Sequence, residues 1–281
     1  MEVLRRWRSM KEISRQAGAA GRRVGFVPTM GALHEGHLSL MRRARELCDV
    51  LVVSIFVNPA QFDSQNDLER YPRDLAADAD QCIAERVDYL FAPAAEEIHP
   101  PGSQTFVDVP EVARDFEGAS RPGHFRGVAT VVHKLLQIVQ PTLAVFGQKD
   151  AQQCAVVRRM VQDLLFEVEI LVSPTVRDAD GLALSSRNRF LGAAERRAAL
   201  AIPRALTAAA AAAAGGEQGA VRVLAAAQRV LEAEESVALD YLGLVDPETF
   251  TRVEQIAGEA LLIVAARVGS TRLLDNVKLH G

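Results

Sequence analysis

Apolar runs of strand length alternate with helical patterns over the first 172 residues of the chain. Uninterrupted apolar runs predict strands at 24–28, 50–57, 87–91, 143–146 and 167–172. Between these runs, apolar residues at helical spacing predict helices near 37–48, 74–86, 126–139 and 150–164. Buried β-branched runs that alternate with helices are typical of a parallel sheet covered on both faces. We therefore predict an α/β domain over residues 1–174, a Rossmann-like doubly wound parallel sheet with ligands at the carboxyl ends of its strands.

The pattern changes after Ser173-Pro174. Helical segments are predicted around 193–214 and 217–234, and the first of them ends in seven alanines followed by Gly215-Gly216. Alanine has the highest helix propensity and glycine terminates helices, so a helix is favoured there over low-complexity disorder. Strand-like runs follow at 237–245, 260–268 and 271–278. Residues 175–281 are therefore predicted to form a second, smaller α+β domain.

Composition narrows the class of protein. A chain of 281 residues with 49% hydrophobic residues can bury a core, and a net charge of −4 argues against general nucleic-acid binding. The cysteines, Cys48, Cys82 and Cys154, lack CxxC spacing and are expected to be buried thiols in a reducing compartment. Since neither an apolar signal sequence nor a run of about 18 apolar residues is visible, we predict a cytoplasmic protein without membrane contact.

The segment PTMGALHEGH, Pro28–His37, stands where the first predicted strand meets its helix. Gly31 and Gly36 let the backbone approach a phosphate, and a helix N-terminus attracts anions. His34 and His37 can donate to phosphate oxygens whose charge grows during phosphoryl transfer. Their spacing of three differs from the spacing of four in a helical zinc motif, which disfavours zinc; two ordinary loop histidines remain an alternative. We predict a nucleotide-triphosphate site here.

Polar side chains also follow two other predicted strands and the domain boundary. Asn58 and Gln61 carry amides suited to a carboxylate and hydroxyls, although an Asn-Pro pair by itself indicates only a turn. Lys149 could neutralise phosphate charge, and Asp150 could hold a ribose hydroxyl, a metal ion or Lys149 itself. The alternative there is a solvated helix N-terminus capped by Asp150. Ser185-Ser186-Arg187 offers hydroxyls and a guanidinium that can clamp an anion.

Taken together, these motifs resemble the pantothenate synthetase (pantoate–β-alanine ligase) family of the HIGH-motif nucleotidylyltransferase superfamily. One departure is visible, since Leu184 stands where many members have methionine, an apolar exchange that conserves volume. The resemblance runs from Gly25 to Asn276, and it is carried by PTMGALHEGH (28–37), FVNPAQF (56–62), RPGHFRGVATVV (121–132), FGQKDAQQ (146–153), PTVRDADGLALSSRNRFL (174–191) and TRLLDN (271–276).

The resemblance implies roles for individual residues. It implies that residues 1–174 bind the nucleotide and pantoate and that residues 175–281 form a lid domain. Within the lid domain, residues 184–187 are expected to be a mobile segment. Catalytic roles are implied for His37, the expected proton donor, and for His34, Lys149, Ser186 and Arg187. The implied ligands of pantoate and β-alanine are Gln61, Gln153 and Asn58. ATP binding is implied for Met30, Gly31, Ala32, Leu33, His34, Glu35, Gly36, His37, Gly147, Gln148, Lys149, Asp150, Val176, Leu184, Ser185, Ser186 and Arg187.

The implied reaction is an AMP-forming ligation in the biosynthesis of pantothenate and coenzyme A. Pantoate attacks the α-phosphorus of ATP, pyrophosphate leaves, and β-alanine then displaces AMP from the enzyme-bound pantoyl adenylate. Magnesium is expected on the phosphate oxygens, although no dedicated protein cage for a metal is visible, and a homodimer is expected from the family. Two alternatives remain: a nucleotidylyltransferase that stops at the adenylate, and a non-catalytic nucleotide-sensing module in which Gln61 and Gln153 would have no purpose.

Overall fold

The computed structural model describes residues 1–62, 68–69 and 71–281. The chain divides into two compact units. The first unit comprises Met1–Gly147 and Val156–Ser173, and the second comprises Gln148–Ala155 and Pro174–Gly281. The second unit therefore takes in a short segment, 148–155, that the sequence-based division assigns to the first domain.

Parallel strands in the order β1-β4-β3-β2-β5-β6 form the sheet of the first unit. The order changes direction between β2 and β5, and open α/β sheets bind ligands beside such a switch point. The α/β prediction is confirmed, although β1 is too short to show a periodic pattern in the sequence. The strands are β1 Glu2–Leu4, β2 Val24–Thr29, β3 Val50–Ile55, β4 Tyr89–Phe91, β5 Leu143–Gly147 and β6 Glu169–Ser173.

Helices cover this sheet, which is why its central strands are apolar without interruption. Phe26 and Leu51, on β2 and β3, are fully buried. Helix α2 packs on β2, β3 and β5, and helices α1 and α6 pack on each other and on β2. The helices are α1 Trp7–Ala19, α2 Glu35–Arg45, α3 Leu75–Ala84, α4 Ala95–Ile98, α5 Glu117–Ser120, α6 His124–Val139 and α7 Ala151–Asp163, the last of which begins within the second unit.

The second unit is built on an antiparallel sheet in the order β7-β8-β9. Helix α9 packs on α10 and on β9, and Ala201, Ala205 and Ala209 bury one side of α9 completely. The alanine-rich sequence is therefore a packed helix, as predicted. The elements are helices α8 Ala193–Ala199, α9 Ala201–Ala214 and α10 Ala220–Glu232, and strands β7 Val237–Val245, β8 Glu259–Val268 and β9 Thr271–His280.

The segment predicted as one helix over 193–214 is divided at Leu200 into α8 and α9. Pro203 explains the position of the break. Proline has no N–H to donate to the carbonyl four residues earlier, and its ring crowds the preceding turn. It is tolerated in the first turn of a helix, where it lies in α9.

The cysteines are free thiols, with Cys82 and Cys154 buried and Cys48 half-buried. Burial, aided by the neighbouring Asp78 charge, raises the pKa of Cys82 to about 12. This thiol is therefore protonated at neutral pH and chemically inert. Among the described helices, none combines the length and the apolar character that crossing a bilayer requires.

Truncation of a central strand residue should destabilise the first unit. Leu51→Ala removes a side chain with 0% exposure, whereas Leu165→Ala shortens one with 86% exposure. We expect a loss of about 2–5 kcal/mol in the free energy of unfolding for the first variant and a change within about 0.5 kcal/mol for the second. Urea unfolding followed by circular dichroism measures both. Similar losses for the two variants would contradict the buried position of β3.

Candidate active site

The loop after β2 is anchored by hydrogen bonds at its start. Thr29 Oγ1 donates to the carbonyl of Ser54 on the neighbouring strand at 2.8 Å and accepts from the N–H of Gly31 at 3.2 Å. The chain then turns sharply, with φ of +81° at Gly31. A Cβ at this position would lie 2.8 Å from Asp78 Oδ2, so both the backbone conformation and the available space require glycine.

Asp78 holds the same loop from helix α3. Its carboxylate accepts the N–H of Ala32 at 2.9 Å and the N–H of Leu33 at 2.8 Å, and the residue is 3% exposed. These bonds stabilise Ala32 in the left-handed region, with φ of +51°, which costs free energy for a residue other than glycine. The role of Asp78 was not predicted from the sequence. An acidic residue on the same helical face as Leu75 and Cys82 was the available signal.

His34 and His37 lie together at the start of helix α2. His34 Nδ1 accepts the N–H of Gly36 at 3.2 Å, and His37 Nδ1 accepts the N–H of His34 at 3.3 Å. The ring centroids are 4.1 Å apart. Because a backbone N–H can only donate, both Nδ1 atoms are acceptors, and each neutral ring carries its proton on Nε2. The capping arrangement thus determines which ring nitrogen acts as a donor.

Glu35 lies beside these histidines in sequence but faces outward. Its side chain is exposed and forms an ion pair with Arg42, which lies about two turns further along the same face of α2. Arg42 also contacts Glu85 at 2.8 Å. The structure therefore gives Glu35 a surface ion pair, and its predicted contact with ATP stays a prediction.

The amide of Asn58 is buried directly after β3, where it contacts four groups of the protein. Nδ2 donates to the carbonyl of Gly127 and to Oε1 of Gln61, both at 3.1 Å. Oδ1 accepts the N–H of Ala60 at 3.4 Å and faces Nε2 of His99 at 2.9 Å. Asn58 is 1% exposed. These contacts indicate that Asn58 orients the side chain of Gln61, and the substrate contact predicted for Asn58 stays a prediction.

Gln61 is held by both its side chain and its backbone. Its Nε2 donates to Sδ of Met30 at 3.0 Å. Its carbonyl accepts from Nη2 of Arg121 at 3.0 Å and from Nδ1 of His124 at 2.8 Å. Arg121, His124 and Gly127 come from the RPGHFRG sequence, which therefore clamps the 3₁₀ turn that carries Gln61. Their roles could not be derived from periodicity because the partners are distant in sequence.

In the second unit, Asn276 holds the turn Gln148–Asp150. Its side chain exchanges hydrogen bonds with the side chain and carbonyl of Gln148 at 3.1 and 2.9 Å, and it donates to the carbonyl of Lys149 at 3.0 Å. Lys149 Nζ lies 3.3 Å from Asp150 Oδ1. Lys149 is therefore one partner of Asp150, and the predicted ribose contact of Asp150 stays a prediction.

A bidentate ion pair between Arg177 and Asp275 lies next to Asn276. Arg177 donates to the two carboxylate oxygens of Asp275 at 2.6 and 2.9 Å, and Asp275 is 3% exposed. The carboxylate of Asp275 also accepts the N–H of Asn276 at 2.8 Å. Bidentate guanidinium–carboxylate pairs fix geometry as well as charge. Asp275 and Asn276 give the TRLLDN motif a structural purpose that the sequence analysis did not identify.

The backbone between Val176 and Leu184 forms a tight hairpin. Leu184 donates from its N–H to the carbonyl of Val176 at 2.9 Å. Arg196 contacts Asp178 at 2.6 Å and Asp180 at 2.8 Å, which fixes the tip. The hydrogen bond from Arg196 lowers the pKa of Asp180 below its usual value. The predicted adenine contact at Val176 therefore lies on a well-anchored segment.

The SSRN segment follows this hairpin as a short 3₁₀ helix. Ser185 Oγ accepts the N–H of Arg187 at 3.3 Å, and Asn188 Nδ2 donates to the carbonyl of Ala183 at 3.0 Å. Ser186 and Arg187 are half-buried in this arrangement. The hydrogen bonds that hold this segment come from Ser185, which caps the 3₁₀ helix, and from Asn188. The functional roles of Ser186 and Arg187 stay predictions.

The predicted site residues form two groups, one in each unit. Within the described residues, no cluster of His, Cys, Asp or Glu side chains is suited to hold a metal ion. Gln153 lies half-buried in the first turn of α7. The first unit contains Met30–His37, Asn58, Gln61 and Gly147, and the second contains Gln148–Asp150, Gln153, Val176 and Leu184–Arg187.

The chain is similar to known proteins over nearly its whole length. The family model described as pantoate-beta-alanine ligase matches residues 2–278. A pantothenate synthetase from Heliobacterium modesticaldum is 52% identical over 277 residues, covering 99% of each chain. One from Acidobacterium capsulatum is 56% identical over 258 residues, covering 92% of this chain and 86% of the relative.

Solved structures give the same result. Pantothenate synthetase from Thermus thermophilus superposes with a TM-score of 0.93 at 45% identity and 100% coverage of both chains. A pantoate-beta-alanine ligase from Francisella tularensis, complexed with beta-gamma ATP and β-alanine, gives a TM-score of 0.81 at 34% identity, with 99% and 97% coverage. The similarity therefore includes both sequence and fold.

The clamp on the Gln61 turn predicts opposite effects for two glycine substitutions. A Cβ at Gly127 would lie 2.3 Å from the carbonyl oxygen of Ala60, whereas a Cβ at Gly18, in helix α1, meets nothing within 4 Å. We expect Gly127→Ala to destabilise the protein by about 1–3 kcal/mol. Gly18→Ala should be neutral or stabilising by up to about 1 kcal/mol. Urea unfolding compares them, and equal shifts would contradict the close contact between α6 and the turn.

Proposed function

The chain belongs to the pantoate-beta-alanine ligase family, and from that premise we propose that it joins pantoate to β-alanine at the expense of ATP, through a pantoyl adenylate. The observation that carries the proposal is the pairing of two specialised turns in the first unit. One turn presents two histidine donors at a helix N-terminus, and the other presents a buried, oriented glutamine amide. Together they suit a polyphosphate and a small hydroxy acid.

The histidine turn is proposed to bind the phosphates of ATP. Since His34 and His37 accept through Nδ1, their Nε2–H groups are the donors for phosphate oxygens. The N-terminus of α2 adds the positive end of a helix dipole. Donors held in place before the reaction stabilise charge that develops on the phosphates in the transition state.

The glutamine turn is proposed to bind pantoate. Gln61 has its Oε1 bonded to Asn58, so its amide N–H groups are the end available for an acceptor oxygen of the substrate. Asn58 acts as a positioning residue because its own amide is committed to buried protein partners. Gln153, from the second unit, is proposed as a further ligand of pantoate.

The second unit is proposed to supply cationic groups and the nucleoside contacts. Lys149 projects from a turn that Asn276 fixes, and its ammonium can neutralise phosphate charge. Ser186 and Arg187 are proposed to contact phosphate oxygens, with Arg187 able to bridge two of them. Asp150 is proposed for the ribose, and the backbone of Val176 for the adenine.

The proposed chemistry consists of two displacements. A carboxylate oxygen of pantoate attacks the α-phosphorus, the bond to the bridging oxygen breaks, and pyrophosphate leaves with that electron pair. The neutral amine of β-alanine then attacks the acyl carbon, loses a proton, and displaces AMP to form the amide. No protein nucleophile is needed, so the chain contributes positioning and electrostatic stabilisation.

Magnesium is proposed to enter with ATP on the phosphate oxygens. The described residues contain no cluster of acidic, histidine or cysteine side chains for a protein-held ion, and the carboxylate of Asp150 lies beside the Lys149 ammonium. The homodimer implied by the resemblance stays a prediction, and so does the cytoplasmic location inferred from the sequence pattern.

The direct test is an assay of the purified chain with ATP, pantoate and β-alanine, with the products identified by mass spectrometry. We expect pantothenate, AMP and pyrophosphate in equal amounts, and no AMP when pantoate is omitted. Pyrophosphate release without an amide product would favour a nucleotidylyltransferase. ATP binding without turnover would favour a nucleotide-sensing module and would contradict the proposal.

Substitution of His37 should separate the two half-reactions. His37→Ala removes a donor to the phosphates, for which a loss of about 10²–10³ in the adenylation rate is typical. Attack of β-alanine on preformed pantoyl adenylate should be affected much less, because pyrophosphate does not leave in that step. His280→Ala, at an exposed position, is the matched control and should leave both rates unchanged. Rapid-quench measurement of each step decides the role, and equal loss in both steps would contradict it.

A further inference from the structure

Two polar side chains without a role in the proposed reaction, those of Lys134 and His99, are connected to the Gln61 turn through hydrogen-bonding contacts. Lys134 Nζ donates to the carbonyl of Ile98 at 2.7 Å and lies 3.4 Å from Nδ1 of His99. On the other side of the ring, His99 Nε2 lies 2.9 Å from Oδ1 of Asn58. Phe56 packs on this imidazole with 6.0 Å between ring centroids. The contacts connect helix α6 to the turn through one imidazole.

The direction of each hydrogen bond follows from two backbone groups. Asn58 Oδ1 faces the N–H of Ala60, which can only donate, and Asn58 Nδ2 faces the carbonyl of Gly127, which can only accept. The orientation of the Asn58 amide is therefore fixed. Because His99 faces the oxygen of that amide, its Nε2 must carry the proton and donate.

The hydrogen-bonding role of His99 Nδ1, the other ring nitrogen, is then determined as well. In the neutral ring, Nδ1 is an acceptor, and the ammonium of Lys134 can only donate to it. Burial, and to a lesser extent the positive charge of Lys134, lower the pKa of His99. A neutral ring with its proton on Nε2 therefore agrees with both the geometry and the electrostatics.

The hydrogen bond from Asn58 also fixes the orientation of the Gln61 amide. Asn58 Nδ2 donates to Gln61 Oε1, so the amide of Gln61 cannot rotate by half a turn without placing two N–H₂ groups against each other. Gln61 Nε2 then faces Sδ of Met30, which is a weak acceptor. A substrate oxygen can replace such a partner at little cost. The chain of donors thus leaves the donating end of Gln61 ready for an acceptor.

We propose that His99 and Lys134 are positioning residues for pantoate, which fix the Gln61 amide so that its N–H groups meet an acceptor oxygen of the substrate. Lys134 selects the Nε2–H form of His99, and His99 secures the amide of Asn58. The inference rests on the proposed function in one respect, the binding of pantoate by Gln61. Neither residue touches the substrate in this account.

The kinetic test compares two substitutions of His99. His99→Gln keeps an amide N–H near the position of Nε2, whereas His99→Leu removes the donor. We expect His99→Leu to raise the KM for pantoate about tenfold, the effect of one lost buried hydrogen bond, with the KM for ATP changed less than about twofold. His99→Gln should recover most of the loss. Thermal unfolding of both variants checks that they are folded.

Three results would overturn the inference: an equal rise in both KM values, a His99→Gln variant no better than His99→Leu, or an unchanged KM for pantoate in folded His99→Leu. A second measurement does not depend on activity. Nuclear magnetic resonance of the full chain with heavy-nitrogen histidine, assigned by the loss of signals in His99→Gln, should give a neutral His99 protonated on Nε2. Protonation on Nδ1 would overturn the inference.

These experiments separate the inference from the proposed function. If the wild-type chain makes no pantothenate, the proposed function fails, and with it the role of His99 in binding pantoate. If the wild-type chain is active and the two His99 variants behave alike, only the positioning role fails. Gln61→Ala serves as the reference for complete loss of the amide, and the KM for pantoate in His99→Leu should not exceed its value in that variant.

Discussion

The buried amide of Asn58 is the constraint on which the arrangement of the turn that carries Gln61 depends. A buried polar group without a partner costs about 1–3 kcal/mol, so all the hydrogen-bonding positions of this amide must be satisfied at once. Ala60 and Gly127 supply backbone partners of fixed polarity, and His99 and Gln61 complete the set. The turn can therefore take one orientation, and helix α6 must approach it closely enough that residue 127 is glycine.

The same physical device recurs at the other turns that carry functional side chains. Asp78 accepts two backbone N–H groups of the loop that leads to the histidines, and Asn276 bonds to both Gln148 and Lys149. In each case a buried polar side chain from a distant element holds the backbone of a turn that contains predicted ligand-binding residues. Rigid support of this kind keeps reacting groups within the narrow geometry that catalysis by positioning requires.

The sequence predicted the parallel sheet, the histidine turn and the glutamine turn, because these depend on local patterns and on the rule that ligands bind at strand ends. The supporting residues were missed because their contacts are distant in sequence: Asp78 with Leu33, Gly127 with Asn58, and Asn276 with Gln148. Periodicity carries no information on such pairs. Periodicity also predicted one helix where the structure has α8 and α9, because the alanine-rich helical spacing continues across the break that Pro203 causes. The burial of the Asn58 amide was not predicted from the sequence, because it is decided by tertiary packing.

The central claim is that the carboxylate of pantoate attacks the α-phosphorus of ATP and that AMP leaves in the amide-forming step. The most direct measurement uses pantoate labelled with the heavy oxygen isotope in both carboxylate positions, followed by mass spectrometry of the products. The account predicts one labelled oxygen in AMP, one in the amide carbonyl of pantothenate, and none in pyrophosphate. Label in inorganic phosphate together with ADP, or unlabelled AMP, would contradict it.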